Sequence, residues 1–200
     1  MMTRHVVLAG AAFLLIGCTD QQLPTETEIT VPLFAKGGNA DFNMGTHLSG
    51  DEEVLATEPH PSVSNAQGQA IFRVNASGTS VSFRLIAANI ENVIMAHIHC
   101  GRPGENGPIR MWLHPVIGAT GAQLPNPGVD VNGVLASGTF SPAGQVCPAA
   151  NVGQDMPLLD AMRAGLTYVN VHTNDGVAPI NTGPGDFPGG EIRGQLDRGN

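Results

Sequence analysis

Positive charge is scarce in this 200-residue chain: nine Lys and Arg stand against 17 Asp and Glu, for a net charge of −8. Phosphate neutralisation needs a basic footprint, so nucleic acid is excluded as a partner. Aromatic residues make up only 4%, with one Trp and one Tyr, and charged residues only 13%. The apolar run at the N-terminus, Val6 to Ile16, has eleven residues, well short of the roughly 20 that a membrane-crossing helix requires. The motifs of nucleophilic hydrolysis are also missing: there is no G-x-S-x-G elbow and no S-x-x-K. Gly101 to Gly107 lacks the Lys and the following helix of a phosphate loop. What the chain does have is 26 Gly and 15 Pro. Turn formers this frequent exclude a helical bundle and favour many short strands. The length argues for one domain, or at most two small ones.

The N-terminus reads as an address. Met1 to His5 carries Arg4, and the apolar run that follows has the length of a signal-peptide core. It ends at Leu15-Ile16-Gly17-Cys18, which resembles the bacterial lipobox read by lipoprotein signal peptidase. That resemblance implies a signal peptide over 1–17 and a mature chain beginning at Cys18, whose thiol takes a diacylglycerol. Two or more acyl chains anchor a protein stably where one does not, so the expected location is exported and lipid-anchored to a bacterial membrane of the cell envelope. Residues 18–40 are polar and acidic, with two prolines and a Gly pair, and read as a tether. Val31 to Phe34 is an alternative short first strand. Loss of Arg4 leaves eight basic residues against 17 acidic ones, so anionic headgroups repel the mature domain.

From residue 41 to 198 the pattern is that of a folded domain. Ala70, Phe72 and Val74 alternate with polar neighbours, as do Val81, Phe83 and Leu85 after the turn Ala76-Ser77-Gly78, which predicts a hairpin. Similar runs at Phe42–Leu48, Val93–His99, Ile109–Leu113, Val134–Phe140, Leu166–Val171 and Glu191–Leu196 give about eight strands, an all-β antiparallel sandwich or barrel. One short helix is predicted at one end of the barrel, with Asp155 as N-cap, Pro157 in the first turn, Leu158, Leu159 and Met162 inward and Gly165 past its end. With Cys18 lipidated, Cys100 and Cys147 remain as an even pair in an exported chain, and a disulfide is expected. The competing role for Cys100, directly after His97-Ile98-His99, is a thiolate ligand for a soft metal such as Cu(I).

Two stretches carry a family resemblance. Ala96-His97-Ile98-His99-Cys100-Gly101, followed by Gly104-Glu105-Asn106-Gly107-Pro108-Ile109, resembles the central signature of the CHRD domain, the module named after chordin. Tyr168 to Thr173 and then Pro188 to Leu196 resemble its closing motif, and Leu48-Ser49-Gly50 with Glu53-Val54 its opening. The sequence departs from the pattern where Leu55 to Glu58 intervenes before Pro59, and Gly118 to Asn132 does not align. The resemblance implies an immunoglobulin-like all-β barrel in an exported bacterial protein and implies no settled activity. Growth-factor binding by chordin is attributed to other modules and does not carry over.

Within these motifs, His97 and His99 are two apart in a strand and share a face, which sets their imidazoles roughly 6 to 7 Å apart along the sheet. His172, on another predicted strand, is positioned to bring a third nitrogen to the same ion, with Glu191 as a carboxylate ligand or as the group that orients a ring N–H. Copper or zinc suits such a set. An H-x-H pair in an exported β-barrel is similar to the copper site of Cu/Zn superoxide dismutases, by analogy only. The architectural alternative has these histidines bonding separate backbone carbonyls around a Gly-rich loop. Glu191 and Arg193 read by default as an ion pair, and His47, His60 and His114 as surface residues. Asp175 to Gly190 carries two carboxylates but lacks the alternating acidic ligands of a calcium loop, and reads as a flexible hairpin tip. The combined expectation is a lipid-anchored, non-catalytic binding or structural module at the cell envelope, with a metal-binding or redox role for His97, His99 and His172 as its rival.

Overall fold

The computed structural model describes residues 42–57, 59–115 and 128–198. The signal and lipobox reading, Cys18, the tether and the alternative strand Val31 to Phe34 all lie outside the described residues. Ten strands are described: β1 (Phe42–Ser49), β2 (Gln67–Val74), β3 (Val81–Cys100), β4 (Ile109–His114), β5 (Val129–Phe140), β6 (Val146–Cys147), β7 (Met156–Pro157), β8 (Thr167–Thr173), β9 (Ile192–Gln195) and β10 (Asp197–Arg198). Two α-helices, α1 (Ala149–Val152) and α2 (Leu158–Arg163), and two single 3-10 turns, Gly50–Glu52 and Pro61–Val63, complete the set. All pairings are antiparallel.

The main sheet runs β10-β1-β2-β3-β8-β9, and β1 also pairs with β9, so the strands close into a barrel. Closure depends on Gly194, because a Cβ there would run into the His47 carbonyl; only glycine lets β9 approach β1 so closely. The 20-residue β3 is the backbone of the fold. Its first half pairs with β2 and β5, its second half with β8 and β4. The predicted hairpin is present in register, with Phe72 opposite Phe83 and Ala70 opposite Leu85, all buried.

The predicted strands are found with two changes of length. Val81–Leu85 and Val93–His99 are parts of one strand, and β5 begins at Val129 rather than Val134. The helix is α2, and Leu158, Leu159 and Met162 are its buried side. Gly165 takes the left-handed conformation expected just past its end (φ +71°). The N-cap, however, is Pro157, and the Asp155 carboxylate instead accepts from the Ala149 N–H at the start of α1. An Asp placed to cap one helix serves the other because Pro157 already supplies the extended entry to α2, and α1, a single turn, carried no periodicity to reveal it.

Cys100 and Cys147 form the expected disulfide, Cα atoms 5.5 Å apart, both buried. This overturns Cys100 as a thiolate ligand: its sulfur is bonded, and it lies with Ala96 and Ile98 in the apolar core rather than with the histidines. The Asp175 to Gly190 segment is also better packed than a flexible tip. Asp186 and Phe187 are buried, and the Asp186 carboxylate accepts from the Thr182 N–H and hydroxyl. His47 is exposed as expected, whereas His60 and His114 are half-buried, His60 accepting from the Ser62 N–H through Nδ1.

Candidate metal centre

The second half of β3 is buried on both sides, and three register changes explain how. Val81, Phe83, Leu85 and Ala87 face the core at odd positions; the core positions then become Ile90, Val93 and the even set Ala96, Ile98 and Cys100. The shifts fall where Asn89 (φ 55°) and Asn92 (φ 53°) adopt left-handed backbone, a conformation Asn tolerates better than most residues, and where Ile94 is the extra residue between Val93↔Thr173 and Met95↔His172. Bulges of this kind re-aim side chains. Without them His97 and His99 would point into the apolar core; with them they join Tyr168, Asn170 and His172 of β8 in a polar layer on the sheet's other face.

That layer is dry. His97, His99 and His172 are 0, 8 and 6% exposed. One ring nitrogen from each lies within 4.8 Å of those of the other two. The His97 and His172 rings meet at 3.2 Å through Nδ1 and Nε2. The His97 and His99 ring centroids are 5.5 Å apart, close to the strand spacing. Ligand nitrogens around one ion at 2.0 to 2.1 Å would stand about 3 to 4 Å apart, so the cluster needs only small side-chain rotations to close.

Backbone carbonyls fix the tautomers. His99 Nδ1 donates to the Gly107 carbonyl and His172 Nδ1 to the Pro188 carbonyl, each at 2.9 Å. A carbonyl can only accept, so both protons sit on Nδ1 and both Nε2 atoms carry lone pairs, the arrangement found behind metal-ligating imidazoles. Nε2 of His97 and of His99 is buried without a hydrogen-bond partner, an unusual state for polar atoms in a native interior. Gly107 can supply its carbonyl only as glycine, because a Cβ would collide with the Cys100 carbonyl. All three rings are held neutral. Burial, then the neighbouring His172 and His99, push His97 down to about 3. Burial takes His172 down to about 4 despite its bond to Pro188. Burial also lowers His99, against the effect of its bond to Gly107. Neutral imidazole is the form that ligates metals.

The surroundings include residues that the sequence reading passed over. Trp112 stands across from His97 in the β3–β4 ladder, its ring edge-to-face at 4.0 Å between centroids. Tyr168 stacks on His99 at 4.8 Å, and the Arg193 guanidinium lies 3.5 Å from the Tyr168 ring centre on a cation–π contact. The chain's single Trp and single Tyr thus both touch the cluster, a signal that rarity alone could have offered. Beyond them, Glu53 accepts from the Asn170 amide at 2.8 Å.

Glu191 is not brought to the histidines. Its carboxylate accepts from the Ser64 and Thr173 hydroxyls and from the Gly185 N–H at 2.9 Å, so three donors already satisfy it and it pins the β8–β9 loop instead of a ligand. Nor does it pair with Arg193, whose guanidinium donates to Asn106 Oδ1 and the Glu105 carbonyl. The ion-pair reading fails because Glu191 precedes β9 and does not share the strand's alternation. His97, His99 and His172 are therefore the members of the predicted set that converge.

A family model described as CHRD domain matches residues 44–196. Comparison with curated proteins and with solved structures gives no match.

Proposed function

The chain belongs to the CHRD domain family, and we propose that this member is an exported, lipid-anchored module of the bacterial cell envelope that binds one transition-metal ion through His97, His99 and His172. The observation that carries the reading is the convergence of three buried, neutral imidazoles, two of them with Nδ1–H tied to backbone carbonyls so that Nε2 is left as a donor. Three nitrogens with no carboxylate suit copper or zinc. We read the role as binding, because all three histidines are buried.

Elemental analysis of the mature lipoprotein, purified without a polyhistidine tag, is expected to show near-stoichiometric copper or zinc. His97→Gln with His99→Gln should abolish it, while an ion retained by the double variant would refute the site. The wild-type thermal midpoint should rise with added metal and fall with a chelator. The anchor is tested separately. Cys18→Ser should block attachment of labelled fatty acid and release the protein from membranes, and a variant that still carries the label would refute lipidation at Cys18.

A purely architectural reading of the histidines draws on the bonds of His99 and His172 to separate backbone carbonyls, those of Gly107 and Pro188, and on the His97–His172 hydrogen bond at 3.2 Å, which gives the metal-free cluster an internal partner. It leaves Nε2 of His97 and of His99 without a role, and it predicts a midpoint indifferent to metal and chelator.

A further inference from the structure

Three imidazoles do not by themselves decide between zinc and copper, and the choice falls to whatever stands fourth. We propose that the Met95 thioether is that fourth donor and that it makes this a copper(I)-selective site. The proposal rests on the three-histidine reading above.

The placement follows from the β3–β8 register. Met95 is directly opposite His172, and from Met95 to Cys100 the pairing proceeds without a further shift against β8. Residues directly opposed in an antiparallel pair have Cβ atoms about 4.5 to 5.5 Å apart on one face. Met95, His97 and His99 at successive alternate positions share that face with His172. The extra residue Ile94 creates this arrangement: it turns Val93 into the core while Met95 falls in with the histidines. An unbranched side chain with three rotatable bonds has the reach and adaptability to bring its sulfur to the ring nitrogens. Met95 is half-buried where the three histidines are buried, so it is the member of the set most accessible to solvent.

The other candidate donors do not join the cluster. Cys100 is in its disulfide, Glu191 is satisfied by three donors, and Glu53, which accepts from Asn170 through Oε1, is not among the groups that converge with the histidines. A closed zinc site wants four ligands drawn from Cys, His and carboxylate, and the described residues offer three. A thioether is a soft donor that selects copper(I). Three imidazoles plus one thioether therefore give copper(I) a full set and zinc an incomplete one.

The test uses the mature lipoprotein in detergent, untagged, wild type and Met95→Leu, a swap that conserves volume and removes only the donor. Copper(I) affinity is read by competition with a chromogenic copper(I) chelator. Zinc affinity is read by competition with a zinc dye, and Trp112 fluorescence reports occupancy beside His97. The expected result is a loss of about tenfold or more in copper(I) affinity for Met95→Leu, with zinc affinity unchanged within about twofold. X-ray absorption of the copper-loaded wild type should show a sulfur neighbour. A wild type that binds copper(I) with nitrogen neighbours only, or a Met95→Leu variant that binds it equally well, overturns the thioether and leaves the three histidines standing. A wild type that takes up neither metal overturns the histidine site itself and this proposal with it.

Discussion

The two halves of β3 are made by one strand and solve opposite problems. From Val81 to Ala87, apolar and polar residues alternate, one face in the core and the other in water. From Val93 to Cys100 nearly every side chain is buried, and the second face packs against polar rather than apolar neighbours. A one-sided strand needs only hydrophobic burial to hold it. A strand with a buried polar face must find a partner for each donor and acceptor individually; here the Gly107 carbonyl serves His99, the Pro188 carbonyl serves His172 on the neighbouring β8, and Nε2 of His97 and of His99 stay without a hydrogen-bond partner. The difference teaches where chemistry is to be sought in this fold: on the face whose burial the apolar pattern does not require.

The sharpest way to break the first half is to hollow it. Phe72 is fully buried and packs at 6.3 Å from Phe83 across the hairpin. Phe72→Ala should cost about 4 kcal/mol by loss of transfer energy and the cavity left behind, read as a lowered denaturant midpoint at unchanged slope. Next in size is the staple at the far end of the second half. Cys100→Ala with Cys147→Ala releases the end of β3 from the β6 segment and should cost about 3 kcal/mol, with the three histidines, which lie on the other face, left in place. If that double variant also lost the metal affinity proposed for wild type, the separation of the two faces would be wrong.

These two expectations also mark how far the sequence was legible. The hairpin, the disulfide and the helix could be read because alternation, parity of cysteines and a Gly terminator are local signals. The His97–His99 pair could be read for the same reason, since two positions in a strand always share a face. What could not be read was which face. Asn89, Asn92 and Ile94 shift the phase of β3 three times, and an alternation template has no place for an inserted residue. Glu191 was misassigned through the same blindness: its adjacency to β9 suggested a strand position, whereas the Gly189-Gly190 turn before it delivers the carboxylate to Ser64 and Thr173. Met95, Trp112 and Asn170 acquire meaning only from register.

A pH experiment separates the halves without a cavity. Burial raises the Glu53 carboxyl to about 8 despite the opposing charge of Arg193, so near neutrality it is protonated in the folded protein and ionised in the unfolded chain. Its folded value lies above its unfolded one. Between about pH 4.5 and 8 the folded state therefore holds the extra proton, and this group's contribution to stability falls as pH rises through that window, each unit of separation being worth about 1.4 kcal/mol. The buried, unpartnered Oε2 of Glu53 and Oδ1 of Asn170 fit a carboxylic acid beside a carboxamide. Glu53→Gln should flatten the decline, seen as denaturant midpoints that vary less between pH 5 and 8 than those of wild type. An unchanged slope would mean that Glu53 is ionised in the folded protein.

The cleanest contrast, and in Arg84 the smallest effect, comes from two arginines, Arg193 of β9 beside the second half and Arg84 of β3 in the first. Arg193 is 1% exposed, lies over the Tyr168 ring and donates to Asn106 and to the Glu105 carbonyl at 2.8 Å. Truncating it removes two hydrogen bonds and a cation–π contact and opens a gap beside His99's stacking partner, which places Arg193→Ala among the changes that cost about 2 kcal/mol. Arg84 sits opposite Ile71 and Ser137 on the solvent side of β3. It is exposed, and no ion pair holds it among the described residues. Its charge is solvated in both folded and unfolded states, and its side chain orders nothing, so Arg84→Ala should move stability by no more than about 0.5 kcal/mol. Both are the same residue type on the same side of one sheet, so charge and intrinsic strand preference largely cancel between them. What remains is the cover that the loops place over the second half. Denaturant midpoints of the two variants, compared with wild type, measure that cover directly; equal losses would show that the polar layer is no more ordered than the open face beside it.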